Sequence, residues 1–239
     1  MSEPKVSVCL IAYYHGPFIA RAIESVLAQQ ADFAVELVIG EDCSPDNTRA
    51  IIEDYQRRYP DRIRLISGPH NVGGQPNFIR TYAACRGEYV AMLEADDYWV
   101  DDEKLRRQVA ILDQNPDLVM CFAGCARVDE QGSIEQENYV PEPFRRRLTQ
   151  PDVVRDFCPP TPTVLFRNRV APAFPASFAT VPNGDHFLYS LLTAHGDAAY
   201  LPRVVAHYRR HGGGAWSTLN QEKRYRGNLR TCLALLDYF

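Results

Sequence analysis

Gly87-Glu88-Tyr89-Val90-Ala91-Met92-Leu93-Glu94-Ala95-Asp96-Asp97-Tyr98-Trp99 runs from a glycine through an apolar segment into three closely spaced carboxylates. The segment 89–93 does not alternate, and it has the length and composition of a strand buried on both faces. Carboxylates crowded at the end of such a strand repel one another and give up hydration, so a cation or a very polar mouth must receive them. Oxygen-only ligands suit Mg²⁺ or Mn²⁺ better than zinc. The plain alternative is a solvated strand-to-helix turn whose acids cap the next helix.

Outward from this stretch the pattern repeats. Val6-Ser7-Val8-Cys9-Leu10-Ile11-Ala12 is a second run of the same kind, ending in Tyr13-Tyr14-His15-Gly16-Pro17. Phe18, Ile19, Ala22, Ile23, Val26 and Leu27 then recur at helical spacing. Residues 35–40 form another strand, ending in Glu41-Asp42. Ser44-Pro45-Asp46 reads as a helix start, with a capping hydroxyl, a proline at the first helical position and an acid in the first turn. That helix is expected to reach Tyr59, before Pro60, and residues 63–66 make a short third strand. A loop over 68–74 leads into a helix from about Pro76 to Cys85. After the acidic stretch, Asp101 or Asp102 caps a helix that stops near Asn115-Pro116. Strict alternation of strand and helix predicts an α/β fold with a mainly parallel sheet flanked by helices.

Ligands of open α/β sheets bind beyond the carboxyl ends of the strands. The unusual polar residues collect there: Tyr13-Tyr14, Glu41-Asp42, and Glu94 with Asp96 and Asp97. Scattered capping acids would show no such bias. The Gly-x-Gly-x-x-Gly fingerprint and the P-loop pattern are both absent, so a nucleotide would be held by carboxylates and a metal.

The bulk numbers fit an ordinary globular protein. The chain has 239 residues, 46% hydrophobic and 23% charged, enough for one large α/β domain. A net charge of −4 gives no basic footprint for nucleic acid. The first residues lack a signal peptide's pattern, and no apolar run approaches the roughly 18 residues of a membrane span. The seven cysteines are scattered, several inside apolar runs, and are expected to be reduced in a cytoplasmic protein.

On these pieces, in this order, the chain resembles the inverting glycosyltransferases of family 2, with their GT-A fold. The matching pieces are residues 6–13, Val38 to Ser44 with Asn47-Thr48, Asn71-Val72-Gly73-Gly74, Gly87-Glu88-Tyr89 into Glu94-Ala95-Asp96-Asp97, and Lys104-Leu105 with Gln108. The match is dense over residues 5–125 and thinner beyond. The resemblance implies that Ala12, Tyr13 and Asp42 hold the nucleotide, Asp42 facing the base. It implies that Asp96 and Asp97 match the DxD element that touches the ribose and the metal on the donor diphosphate, with Mn²⁺ or Mg²⁺ as cofactor. Glu41 and Glu94 depart from the family's aspartates by one methylene each, which leaves the role of Glu94 open between ligand and support for a neighbouring arginine. The basic residue often found after the Asn-x-Gly segment is replaced by Gln75-Pro76, with Arg80 as a substitute.

The second half is less regular. Residues 118–128 read as a buried strand, 131–143 as irregular, and Arg145-Arg146-Arg147 as a solvated face or a contact for lipid headgroups or a lipid-linked diphosphate. Pro159-Pro160-Thr161-Pro162 is a rigid loop before a short strand over 163–166. Asp185, in the first turn of a helix with Leu188, Leu191 and Leu192, reads as a helix-dipole acid or, by the resemblance, as the catalytic base. Val204 to Tyr208 is a strand ending in Arg209-Arg210-His211-Gly212-Gly213-Gly214-Ala215-Trp216-Ser217. The resemblance makes His211 a metal ligand or diphosphate contact and brings Arg209 and Trp216 into the neighbourhood; the glycines suit a lid. A last helix from Asn220 to Tyr238 carries Leu229, Cys232, Leu233 and Leu236 on one face, expected to pack on the domain rather than lie on a membrane.

The sequence thus predicts one GT-A domain over residues 1–239, with a nucleotide-sugar half to about residue 115 and an acceptor half from about 116. Its expected partners are a UDP-linked sugar and a saccharide or lipid-linked saccharide acceptor for cell-surface polysaccharide, with no nucleic acid. The cytoplasm is the expected location, and the inner membrane face the place of any peripheral contact. Two other classes stay open. A sugar-phosphate nucleotidyltransferase would want a basic, glycine-rich loop where Tyr13-Tyr14-His15 stands, and a non-catalytic sugar-binding module would not need Asp185 or His211.

Overall fold

The computed structural model describes residues 3–170, 174–214 and 218–239. Strand β1 (Val6–Ala12) is followed by α1 (Ile19–Leu27), β2 (Val35–Glu41), α2 (Thr48–Arg58), β3 (Ile63–Ser67), α3 (Gly74–Ala83) and β4 (Tyr89–Glu94). Then come β5 (Tyr98–Trp99), α4 (Lys104–Gln114), β6 (Leu118–Val128), β7 (Ile134–Gln136), β8 (Leu165–Arg167), α5 (Gly184–Thr193), β9 (Asp197–Arg209) and α6 (Gln221–Tyr238). One sheet takes the described strands in the order β3-β2-β1-β4-β8-β6-β9-β5, with β7 on β6.

The first four strands pair in parallel, as strand–helix alternation requires. Val8, Leu10, Ile39, Ala91 and Leu93 face one layer, filled by Ile19 and Ile23 of α1, Ile52 of α2, and Leu105 and Leu112 of α4. Their neighbours Cys9, Val38, Val90 and Met92 face the other, with Phe78 of α3 and Phe187, Leu188 and Leu191 of α5. Both faces are covered, so the strands read as continuous apolar runs. Emptying such a site, as in Leu93→Ala, costs about 2–5 kcal/mol.

β4 is pinned at its start by close backbone approach. The Gly87 and Arg86 amides donate to Ser7 Oγ at 2.8 and 3.0 Å, and a Cβ on Gly87 would stand 2.4 Å from the Ser7 nitrogen. Behind its end, Lys104 is fully buried with its ammonium 4.2 Å from the Trp99 ring centre, while Gln108 donates to the Thr163 and Cys121 carbonyls. These two members of the Lys104-Leu105/Gln108 pattern thus pack α4 on Trp99 and tie it to β6 and the 161–163 turn.

Beyond β4 the sheet is mixed. The short β8 lies antiparallel between β4 and β6, and β9 runs parallel to β6. β9 is longer than the strand expected over 204–208. Its register on β6 jumps between Leu201 and Val204, where Pro202 cannot donate to a ladder, and this interruption hides its first half from a pattern search.

Two boundaries and one helix face differ. α2 begins at Thr48 rather than Ser44, because Asp46 turns its carboxylate onto the Thr48 amide and hydroxyl and the Gly16 amide. α3 begins at Gly74, after Gly73 takes a positive φ of 92°. In α6 the expected face is reversed: Leu229, Leu233 and Leu236 are 52–75% exposed, and the helix packs through Gly227, Thr231 and Leu235. Small residues allow a close approach to α5, where the Asn183 amide donates to Thr231 Oγ1. Among the described residues no helix is long and apolar enough to cross a membrane. All seven cysteines are free thiols.

Candidate active site

Three strand ends and one helix start converge at the carboxyl edge of the parallel strands. At the end of β2, Asp42 is 1% exposed and satisfied by the chain itself. It accepts from the backbone amides of Val72 and Gly73, both at 2.9 Å, and from Arg80 at 3.2 Å. Arg80 also donates to the Glu41 carbonyl, so this arginine, and not the Gln75-Pro76 segment, supplies the positive charge beside Asp42. Glu41 is fully buried and accepts from the Ser44 amide at 2.6 Å, which makes it a clamp on the following loop. Ala12 is buried and its carbonyl accepts from the Asp42 amide, while Tyr13 projects, 46% exposed, at the rim.

The end of β4 is different. Asp96 receives His211 Nε2 at 3.0 Å and lies 3.8 Å from His15 Nε2. Burial alone would raise its carboxyl, but the His211 hydrogen bond and the two imidazoles hold it below the usual range. Asp97 is 1% exposed; one oxygen accepts from the Arg209 amide at 2.8 Å and the other is buried without a hydrogen-bond partner. Burial, with the charges of Asp96 and Glu94, pushes the Asp97 carboxyl well up. Glu94, half-buried at the strand end, is raised to about 8 by burial and by the charges of Asp96 and Asp185.

Arg209 is a brace for this turn. It is buried, donates to the Asp96 carbonyl at 3.0 Å and to the Asp129 and Glu130 carbonyls, and lies over the rings of Phe18 and Tyr98. The arginine near the acids therefore grips their backbone, and Glu94 feels, besides burial, the charges of Asp96 and then Asp185. Trp216 lies outside the described residues.

Asp185 opens α5, its side chain turned back on the helix start: Oδ1 accepts from the His186 amide at 2.7 Å and Oδ2 from Thr161 Oγ1 at 3.4 Å. The Thr161-Pro162-Thr163 turn thus orients it. Burial, then Asp185, pushes up both the Cys158 thiol and the Tyr189 hydroxyl, so neutral groups line this side of the site. His186 points away, onto the Val153 and Val154 carbonyls.

The arginine triplet is used by the chain. Arg146 pairs with Asp152, Arg147 with Asp117 and Asp197, and Arg145 donates to the Val140 carbonyl. The solvated-face reading fits these contacts.

Among the described residues two donor sets could hold a cation, and both contain Asp96: His15, Asp96 and His211, and Glu94, Asp96 and Asp97, each with ligand atoms within 4.8 Å of one another. A carboxyl pushed up by burial and by neighbouring acids, with one buried oxygen unpartnered, is what a divalent ion would relieve. His15 is the participant that sequence reasoning passed over; its signal was position, directly beyond the end of β1.

The sequence profile described as glycosyl transferase family 2 matches residues 7–169, spanning β1 to β8. The chain belongs to glycosyl transferase family 2. An uncharacterized protein of Mycobacterium tuberculosis is 34% identical over 219 residues, 92% of this chain and 62% of the relative. The putative teichuronic acid biosynthesis glycosyltransferase TuaG of Bacillus subtilis is 28% identical over 64% of this chain and 58% of its own length. The chain therefore spans less than two thirds of these relatives. Among solved structures, the mannosyltransferase PcManGT from Pyrobaculum calidifontis, in complex with GDP-Man and Mn²⁺, superposes with a TM-score of 0.71 at 16% identity, covering 99% of this chain and 65% of that one. S. aureus TarS 1–349 in complex with UDP-GlcNAc gives 0.70 at 19%, covering 93% and 64%. Both likenesses are of fold, and they make this family 2 glycosyltransferase a GT-A domain.

Proposed function

We propose that this glycosyltransferase moves a sugar from a nucleotide-diphosphate sugar, UDP-linked, to a hydroxyl of a saccharide or lipid-linked saccharide, with inversion at the anomeric carbon. The observation that carries the reading is the meeting of two unlike acidic groups: the Asp96 cluster, built for a cation, and Asp185, which shares an electrostatic environment with it through Glu94. Residues 1–115 form the nucleotide-sugar half and 116–239 the acceptor half of one domain. Bound nucleotide-sugars in TarS and PcManGT, and Mn²⁺ in the latter, support a donor of this class.

Ala12, Tyr13 and Asp42 line the nucleotide subsite. Asp42 keeps its orientation through the Val72 and Gly73 amides, and the family resemblance assigns it to a base N–H. Asp96 and His211, with Asp97 and Glu94 nearby, hold the divalent ion. When bound, Mn²⁺ or Mg²⁺ offsets the charge that develops on the departing diphosphate. Asp185 accepts the proton of the acceptor hydroxyl as that oxygen attacks from the opposite face, and Thr161 keeps the carboxylate aimed. The cytoplasm, with the inner membrane face for a lipid-linked acceptor, is the setting where such donors are available.

Incubation with a panel of UDP- and GDP-sugars and Mn²⁺, reading release of free nucleotide, tests the proposal. Nucleotide release from one donor is the expected result. Binding without release favours a sugar-binding module, and formation of nucleoside triphosphate and sugar phosphate when pyrophosphate is added favours a nucleotidyltransferase. Asp185→Asn is expected to lower turnover by about 10²- to 10⁴-fold while nucleotide affinity changes less than about threefold; near wild-type turnover would remove Asp185 from its role.

A further inference from the structure

The loop after β1 brings a second imidazole to Asp96. His15 Nε2 lies 3.8 Å from Asp96 Oδ2, the oxygen that also meets His211 Nε2 at 3.0 Å, and the two rings stand at 72° with centres 6.1 Å apart. A divalent ion with bonds of about 2.1 Å holds neighbouring ligand atoms about 3.0 Å apart and opposite ones about 4.2 Å apart. The two distances from Asp96 fall in that range. The side chains of His211, Asp96 and His15 are 6%, 17% and 18% exposed, buried enough to be ordered and open enough for ligands from solution.

His15 is held in place by its backbone. The Tyr14, His15 and Gly16 amides donate to Ser44 Oγ, Thr48 Oγ1 and the Asp46 carboxylate at 3.0, 2.8 and 2.9 Å. Tyr14 takes a positive φ of 61°, and a Cβ on Gly16 would come within 2.0 Å of Asn47 Oδ1, so the loop is folded tightly onto the start of α2. The Ser44-to-Thr48 segment, whose capping residues do not start the helix where the sequence predicts, is used instead to fix this loop.

We propose that His15 is a ligand of the divalent ion, completing with Asp96 and His211 a set of two imidazoles and one carboxylate that selects Mn²⁺ over Mg²⁺. Three protein ligands would leave room for diphosphate oxygens and water. Imidazole nitrogen suits the transition metals, whereas Mg²⁺ keeps oxygen ligands and its waters. Ligation through Nε2 moves each ring's proton to Nδ1, so the contacts of the Tyr13 and Gly213 amides with Nδ1, at 3.4 and 3.3 Å, give way when the ion binds. The assignment rests on the transferase reading for the presence of a metal, but its test does not depend on turnover.

The full chain is titrated with Mn²⁺ in the presence of UDP or of GDP, with free Mn²⁺ followed by electron paramagnetic resonance and Mg²⁺ measured by competition. Wild-type protein is expected to prefer Mn²⁺ by at least tenfold, with ¹⁴N echo modulation from two imidazoles. His15→Ala and His15→Gln, each verified as folded by circular dichroism, are expected to weaken Mn²⁺ at least tenfold, to narrow the Mn²⁺/Mg²⁺ ratio and to leave modulation from one imidazole. Unchanged Mn²⁺ affinity and an unchanged nitrogen signal in both variants overturn the assignment, as does wild-type protein that binds no Mn²⁺. Two-nitrogen Mn²⁺ binding without turnover on any donor would retire the transferase reading and leave the metal assignment standing. Turnover with His15-independent Mn²⁺ would do the reverse.

Discussion

The ends of β2 and β4 carry the same chemistry in different states of completion. At β2, Asp42 is closed off by two backbone amides and a guanidinium. At β4, Glu94 and Asp97 are pushed toward their protonated forms, one Asp97 oxygen has no partner, and Asp96 faces two imidazoles. Both strands end in buried acids at the ligand edge of the sheet, so position does not separate them. The supply of donors from the chain does. The loop over 68–74 and Arg80 supply donors to both Asp42 oxygens, whereas Arg209 braces the turn after β4 through the Asp96 carbonyl and one Asp97 oxygen and leaves the other Asp97 oxygen without a partner. Asp42 finds its partners within the chain, although Glu41 beside it keeps one buried oxygen unpartnered; the unpartnered Asp97 oxygen lies in a donor set that could hold a cation.

The largest effect that would break this contrast concerns turnover and stability together. Asp96→Asn is expected to lower Mn²⁺-dependent transfer by about 10²- to 10³-fold, since the ion loses the ligand common to both donor sets. Its melting temperature falls by no more than about 4 °C, because the lost charge eases Glu94 and Asp97 while the charged contact with His211 is given up. A thermal scan beside the activity assay checks both; a strong loss of stability would mean Asp96 is a structural acid like Asp42.

Asp42→Ala should behave in the opposite sense. It leaves the Val72 and Gly73 amides and Arg80 without their acceptor, which costs about 2 kcal/mol. That is a fall of roughly 4–8 °C for a chain of this size. Nucleotide affinity weakens with it, while the metal requirement remains. Calorimetry with and without Mn²⁺ separates the two effects.

A smaller effect follows from pH. Glu94 has a folded value of about 8 against an ordinary 4.5, so between these values the native state holds a proton that the unfolded chain has lost. Its contribution to stability is complete below about pH 4.5 and is lost as pH rises toward 8. Glu94→Gln stays neutral throughout, so the variant should gain on wild type as pH rises through this window in metal-free buffer. Denaturant midpoints at pH 5 and pH 8 test this, and parallel curves for the two proteins would show that Glu94 is solvated and ordinary.

How much of this was legible in the sequence follows the same divide. The parallel half was readable because strands covered on both faces announce themselves as apolar runs, each followed by a helical period. Asp42 and Asp96 were legible as positions beyond strand ends, whereas Asp185 and His211 stood out only through the family resemblance. Less visible was anything fixed by long-range contact. The antiparallel insertion of β8 depends on three residues; the first half of β9 is masked by Pro202; and the packing face of α6 is chosen by Gly227 and Thr231, which a search for large apolar residues passes over. His15 belongs to this group, since nothing local distinguishes it until Thr48 and Ser44 anchor its loop. The supposed start of α2 misled for the same reason: its capping residues were engaged elsewhere.

The most direct test is the linkage between metal and nucleotide, measured by isothermal titration of UDP and GDP into the protein with and without Mn²⁺. For the accepted nucleotide, Mn²⁺ should tighten binding at least tenfold in wild type and in Asp42→Asn, and should have no effect in Asp96→Asn. Equal Mn²⁺ enhancement in Asp96→Asn, or none in wild type, would contradict the assignment of the β4 end as the cation site.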